Sequence, residues 1–458
     1  MSLSRRSFLG IAGLSLAVTR LHARKPGDSL PTLAVVAAEV RRITALLGGE
    51  ARTERLGESG AGRPIDLISI GRGPKSILLV GAPHPNEPIG VLTVLRLMER
   101  LAQDRKLRQD GGYSFHFIPA IDVDGVALNE GWFAGPRTPQ DYLRHFFRPA
   151  FAQQPEYAFP LAIPGYRFDA ATPENICWQA ALEQTRPMLQ CSLHGNDANG
   201  VFYFLSERRQ ALAEQLSALP RRYGLAINRI GEAGLGTESY APGVLSEFTV
   251  QAMIIDAINA GKGTAGFWDA GQSSSEYARQ LYGTFSLTCE VALWNDPRLY
   301  SDRPSAMTIA DAAAEFLAQL REDKAVLTSG KQAALRPLAS AEVKALDAAL
   351  DEVRTSIDQR IEGATEEANK PRNRTERLVE RDLVQYEPGL SAIRAMAMLA
   401  RRARLSGDVG VAERAEAIVA RRIAAQLAKA PVTPIPYRTS ADLQIDAALL
   451  AARALERG

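Results

Sequence analysis

Apolar and polar positions along this chain follow two different periods. Short apolar runs at 67–70, 76–80, 114–119, 188–193, 201–205 and 285–293 read as strands. Between them lie longer stretches, such as Val91 to Gln103, whose apolar residues recur every three or four positions. That spacing marks a helix with one buried stripe. Strands interleaved with helices predict an α/β fold, a central sheet with helices on both faces and ligands bound beyond the strand C-termini. In the run Phe285 to Leu293, alternation puts Phe285, Leu287, Cys289, Val291 and Leu293 on one face and Ser286, Thr288, Glu290 and Ala292 on the other. Glu290 is therefore a carboxylate set into an apolar strand. An unpaired buried charge is costly, so this position predicts a partner or a function.

After about residue 325 the period is helical throughout. Val343, Leu346, Leu350, Val353, Ile357, Ile361, Ala364 and Ala368 form one stripe, and Lys370-Pro371 ends it. Two further helices are predicted over 389–405 and 409–430, joined at Ser406-Gly407-Asp408, and a last one over 440–456. The expected division is an α/β unit over 30–325 and an α-helical C-terminal domain or extension over 326–458, for which structural support is the first expectation and partner binding, substrate positioning and dimerisation stay open.

The first residues predict an address. Ser4-Arg5-Arg6-Ser7-Phe8-Leu9-Gly10 resembles a twin-arginine export signal, and the apolar stretch Phe8 to Val18 is too short to span a bilayer. Residues 1–25 are expected to be a signal peptide and the protein periplasmic or secreted. No other run approaches ~20 apolar residues, so no stable membrane insertion is expected once the signal is removed. The formal net charge of +2 over 458 residues offers no basic field for nucleic acid. Cys177, Cys191 and Cys289 cannot all pair with one another, and the last two sit in strand-like runs, as buried thiols do.

Candidate chemistry gathers where apolar runs end. His84 and Glu87 lie in Val80-Gly81-Ala82-Pro83-His84-Pro85-Asn86-Glu87-Pro88, between a strand and a helix, so both side chains can face one cation. His194 follows a second run, in Cys191-Ser192-Leu193-His194-Gly195. Two nitrogens and a carboxylate with one position open is the ligand set of catalytic zinc, which lowers the pKa of water toward ~7. One Zn2+ ion is expected, with Glu290 placed to take a proton from water and deliver it to a leaving amine. The chain has five histidines. His116, in a strand-like alternation, and His145, in a loop rich in Arg and Phe, are read as structural.

Several separate segments within about 35–320 give the chain a resemblance to the zinc metallocarboxypeptidases related to carboxypeptidase A. Glu58-Ser59-Gly60-Ala61-Gly62-Arg63-Pro64-Ile65 is similar to the family's opening segment, and His84-Pro85-Asn86-Glu87 to its His-x-x-Glu zinc motif. Ile118-Pro119-Ala120-Ile121-Asp122-Val123-Asp124-Gly125 resembles its strand-end turn, and Thr172-Pro173-Glu174-Asn175 the start of the helix before the third ligand. Ser192-Leu193-His194-Gly195 and Cys289-Glu290 are similar to the segments of the third ligand and the general base. The resemblance implies a mixed central sheet, zinc held by His84, Glu87 and His194, and Glu290 as base. It also implies an arginine that polarises the scissile carbonyl: of Arg137, Arg144 and Arg148, Arg144 is the expected one. The segment Pro164 to Ala170 lacks the family's Asn-Arg pair for the substrate carboxylate, and Arg167 is its expected substitute. Trp268, in a Gly-rich loop, is the expected substrate cover, with Tyr277 and Tyr240 as the other candidates.

Three functions are carried forward. The first is zinc-dependent hydrolysis of peptides, cell-wall or other exported peptides among them. The second is deacylation of N-acylated amino acids, in the manner of enzymes resembling aspartoacylase. The third is a zinc-binding protein without catalysis, which has no chemical need to keep all four of His84, Glu87, His194 and Glu290.

Overall fold

A computed structural model describes residues 29–456 except 110, 136, 231–235, 260, 262–269, 329–334 and 371–376. The expected signal segment and Trp268 lie outside the described residues. Nine strands form the main sheet: β1 Ala51–Glu58, β2 Pro64–Ile70, β3 Lys75–Gly81, β4 Tyr113–Ile118, β5 Leu189–Asn196, β6 Phe202–Leu205, β7 Ser239–Ala241, β8 Val244–Ser246 and β9 Phe285–Ala292. Their spatial order is β1-β2-β4-β3-β5-β9-β6-β8-β7. The centre, β4-β3-β5-β9, is parallel, while β2 joins β4 and β6 joins β9 in antiparallel fashion. The sheet is thus mixed, as expected. β5 is buried along all but its last residue, the pattern of a central parallel strand covered on both faces.

Alternation along β5 divides its chemistry between those faces. Leu193 packs against the start of helix Ile89–Gln103, while Gln190, Ser192 and His194 leave the strand on the other face. Gln190 shows this directly: its side chain accepts from Trp178 Nε1 at 3.0 Å and donates to Ser274 Oγ at 3.0 Å. Close approach on the Leu193 face depends on Gly90. A Cβ there would lie 2.5 Å from the Leu193 carbonyl oxygen, so only glycine lets the start of helix Ile89–Gln103 press onto β5. That contact brings the His84–Glu87 loop to His194. The chain enters the loop through Ala82, fully buried in the left-handed region at φ 47°, a conformation a non-glycine residue holds only when its surroundings fix it.

The helical region is attached differently from the expected division. Position 325 falls inside helix Ile309–Leu327 rather than between units. The chain leaves the sheet after β9 at Trp294-Asn295, which pair with Pro434 and Thr433 on its return. Residues 296–432 are therefore an excursion that starts and ends at one point. The last helix, Tyr437–Leu455, then packs on helix Ile89–Gln103, β5 and β9, with Leu443, Ala447 and Ala448 buried in the same core as the sheet. Periodicity finds the helices but not their connections, since a stripe records that a face is buried and not against what. Among the described residues no helix is long and apolar enough to cross a membrane, and the three cysteines are free and buried.

Candidate metal centre

Three side chains expected as ligands converge. His84 Nδ1 lies 3.0 Å from Glu87 Oε2, His194 Nδ1 lies 3.1 Å from the same oxygen, and the two Nδ1 atoms are 3.2 Å apart. All three residues are buried, at 3–5% exposure. Atoms about 2.0–2.2 Å from a tetrahedral zinc stand roughly 3.4 Å from one another, so the triangle found here needs to open by only a few tenths of an ångström. Two imidazole nitrogens facing each other over a carboxylate also need a cation or a proton between them. The residues present therefore fit zinc.

The protonation pattern carries the same message. Burial and the Arg148 guanidinium push the His84 imidazole down to about 3. Burial opposes charge on His194 as well, but the hydrogen bond and charge of Glu87, with Glu290 and Glu156 behind, lift it to about 9. Glu87 resists its own burial because His84, His194 and Arg148 surround it, which holds it well below the ordinary carboxylate range. Its Oε2 also accepts from the Gly195 N–H at 3.1 Å, and its Oε1 from Arg148 Nη1 at 3.0 Å.

Glu290 sits beside the triangle by register. It is paired with His194 across the parallel strands β9 and β5, so both side chains leave the sheet on the same face. Its Oε1 is 3.8 Å from His194 Nδ1. Behind His194 lies a carboxylate that the sequence did not mark. His194 Nε2 is 2.9 Å from Ser192 Oγ, whose hydroxyl donates to Glu156 Oε2 at 3.0 Å, and Ser274 Oγ donates to Glu156 Oε1 at 2.6 Å. Burial raises the pKa of Glu156. This Ser192–Glu156 chain fixes the ring of His194 so that Nδ1 faces inward. Glu156 lies in the short turn Pro155–Tyr157, where no period singles it out.

The other expected site residues fall elsewhere. Arg144 is exposed at the end of helix Pro139–Arg144 and does not line the cavity over the centre. Arg148 does, because Phe146 and Phe147 bury themselves in the core and direct the next residue toward Glu87. The arginine at the centre is thus Arg148 in place of Arg144. Arg137 stacks over the Tyr437 ring at 5.1 Å. Arg167 is 72% exposed on the hairpin Leu161–Phe168, paired with Asp169, and is likewise outside the cavity. Tyr277 packs on Phe159 at 4.8 Å and donates to Gln179 Oε1, and Tyr240 lies under Arg208, so neither covers the centre. Among the described residues, the aromatic ones that line the cavity are Tyr157, Phe204 and Phe248. His116 and His145 stand apart, against Ser69 Oγ and the Asp141 carbonyl, as structural residues would.

This chain is similar to several solved structures, each at low identity. A metallo-carboxypeptidase from Burkholderia cenocepacia aligns at 18% identity over 57% of this chain and 60% of its own, with a TM-score of 0.36. Carboxypeptidase A from Helicoverpa armigera aligns at 14% over 60% and 67%, TM-score 0.38. A Pseudomonas aeruginosa metallo-carboxypeptidase in complex with (2-guanidinoethylmercapto)succinic acid aligns at 18% over 57% and 60%, TM-score 0.32. The chain therefore spans about 60% of the length of the Burkholderia protein. No curated protein matches it. Residues 40–293, more than half of the 458, match the model of the zinc carboxypeptidases, and the chain belongs to that family.

Proposed function

We propose that the protein is a zinc-dependent peptidase that hydrolyses amide bonds of exported peptides. The observation that carries this reading is the triangle of His84 Nδ1, Glu87 Oε2 and His194 Nδ1, closed to 3.0–3.2 Å, with the Glu290 carboxylate 3.8 Å from one corner. Zinc held by His84, Glu87 and His194 supplies Lewis acidity toward a carbonyl and toward water. Glu290 takes the proton of the attacking water and delivers it to the departing amine. Arg148 offers its N–H groups to the carbonyl oxygen as negative charge develops there. Glu156, through Ser192, keeps the His194 ring from rotating.

A second reading, deacylation of N-acylated amino acids, is favoured by one observation. The cavity holds about 280 Å³, at the lower edge of the roughly 300–1,000 Å³ usual for ligand pockets, which suits a short substrate. Hydrolysis of a panel of peptides and N-acyl amino acids, with and without a chelator, tests both readings. Chelator-sensitive turnover is expected on peptides; turnover confined to N-acyl amino acids selects the second reading, and none on any substrate rejects both.

Export is part of the proposal. The support for it is the twin-arginine segment Ser4 to Gly10, read from sequence. A reporter fused after residue 30 is expected in the periplasm, and Arg5→Lys with Arg6→Lys is expected to retain it inside the cell.

A further inference from the structure

The excursion 296–432 walls one side of the metal cavity, and behind that wall lies a second cavity of about 540 Å³, a size usual for ligand sites. Arg148, Ser391 and Arg394 line both cavities and stand between them. The second one forms where helices Ile309–Leu327, Ala341–Ala368 and Arg394–Ser406 of the excursion meet the segment 146–154. Its charged lining residues are Arg148, Asp323, Glu352, Arg360 and Arg394. Three of these are committed elsewhere: Arg148 to Glu87 at 3.0 Å, Arg394 to Asp197 at 2.9 Å and Asp323 to Arg422 at 2.7 Å. Arg360 and Glu352 are left, both on helix Ala341–Ala368. The half-buried Arg360 lies with its guanidinium 5.8 Å from the Phe316 ring centroid and makes no hydrogen bond or ion pair to any described residue. Glu352 Oε2 accepts from the Phe151 N–H, and its Oε1 has no hydrogen-bond partner among the described residues. Burial lowers the pKa of Arg360 and raises that of Glu352, so the surroundings leave each charge unmatched.

We propose that this second cavity, separate from the metal centre, is a binding site for a free amino acid with a large apolar side chain. The ligand carries one group for each open partner. Its carboxylate accepts parallel N–H bonds from the Arg360 fork, and its ammonium donates to Glu352 Oε1. Its side chain lies on the apolar lining of Phe316, Leu320, Val353 and Met398. A simple anion leaves Glu352 unmatched and a simple cation leaves Arg360 so; the zwitterion satisfies both at no net charge. The site also touches the machinery next door, since Arg148 donates from Nη2 to Gln154 Oε1 at 3.4 Å on this side and from Nη1 to Glu87 on the other. The inference rests on the peptidase reading only for the origin of the ligand, amino acids being what peptide hydrolysis releases.

Three probes that share one ring test it. Zinc-loaded protein is titrated calorimetrically with L-phenylalanine, with 3-phenylpropionate, which lacks the ammonium, and with 2-phenylethylamine, which lacks the carboxylate. Phenylalanine is expected to bind about tenfold more tightly than either. Arg360→Met is expected to bring phenylalanine and phenylethylamine within about twofold, and Glu352→Gln to do the same for phenylalanine and phenylpropionate. Arg360→Lys, which keeps the charge and loses the fork, is expected to fall between parent and Arg360→Met, and serves if the methionine variant does not fold. Zinc content and far-ultraviolet circular dichroism report whether each variant is intact. Preferences that these substitutions leave unchanged place the binding in the metal cavity and overturn the proposal, as does a parent that binds all three probes alike or none. If the unmodified protein hydrolyses no peptide while the preference depends on Arg360 and Glu352, the peptidase reading fails and the amino-acid site stands.

Discussion

Glu290 and Glu156 are both buried carboxylates within reach of His194, and their roles differ because of which nitrogen each approaches. Glu290 is nearest Nδ1, on the side of the metal triangle, while Glu156 is nearest Nε2 through Ser192. The first can exchange protons with a substrate; the second can only orient the ring. Glu290→Gln is accordingly expected to retain zinc, measured by elemental analysis, and to lose hydrolysis by about 10²–10⁴-fold. Activity near that of the parent would remove Glu290 as the base. Glu156→Ala is expected to weaken zinc by about 10–100-fold in chelator competition. An unchanged affinity would mean that Ser192 alone holds the ring.

At the scale of the element, the site is set by where strands stop. β3 ends in the ligand loop, and the turn after β4 lies alongside it, with the Ile121 N–H donating to the Gly81 carbonyl at 3.0 Å. In that turn Asp122 caps helix Val123–Asn129 through the Gly125 N–H, yet it is buried, and burial raises its pKa to about 7. A carboxyl whose folded pKa exceeds its unfolded value of about 3.9 contributes stability that is fully present below that value and is lost as pH rises through the folded value. Urea midpoints are therefore expected to fall between about pH 4 and pH 8, and Asp122→Asn, which keeps the cap without an ionisable proton, is expected to flatten that fall. A slope that the substitution leaves unchanged would assign the dependence to another group.

For the molecule as a whole, the last helix is tied to the centre of the sheet. Gln444 Nε2 donates to the carbonyls of His194 at 2.8 Å and Cys289 at 3.0 Å, and its Oε1 accepts from Thr93 Oγ1 at 2.6 Å. One side chain from the final helix thus holds the backbone of His194, the backbone next to Glu290, and the helix that follows the His84–Glu87 loop. Gln444→Leu, of similar size and without donors, is expected to cost roughly 1–3 kcal/mol in urea unfolding because the hydrogen-bonding groups it met stay buried. A stability equal to that of the parent would show those groups to be satisfied without it.

The sequence alone determined the α/β class and the helical character of the later chain, and it singled out His84, Glu87, His194 and Glu290, which the fold brings together. These were legible because each is a local property. A strand or helix writes its period into consecutive residues, and His84, Glu87, His194 and Glu290 each stand where an apolar run ends or is broken by charge. Arg144 ends a short helix and Arg148 lies four residues on, and no period decides which turns inward; the burial of Phe146 and Phe147 does. Arg167 carries charge in the expected segment, but its hairpin projects it into solvent. Glu156, Asp197 and Arg394 were not legible, since each acquires meaning only from a partner 36 or more residues away. The tertiary structure also decided that 296–432 is an excursion over the cavity, because closing Trp294-Asn295 on Thr433-Pro434 is a distant pairing that leaves no trace in either segment. Local periodicity fixes which face of an element avoids water, whereas the identity of what covers that face is a property of the packed chain.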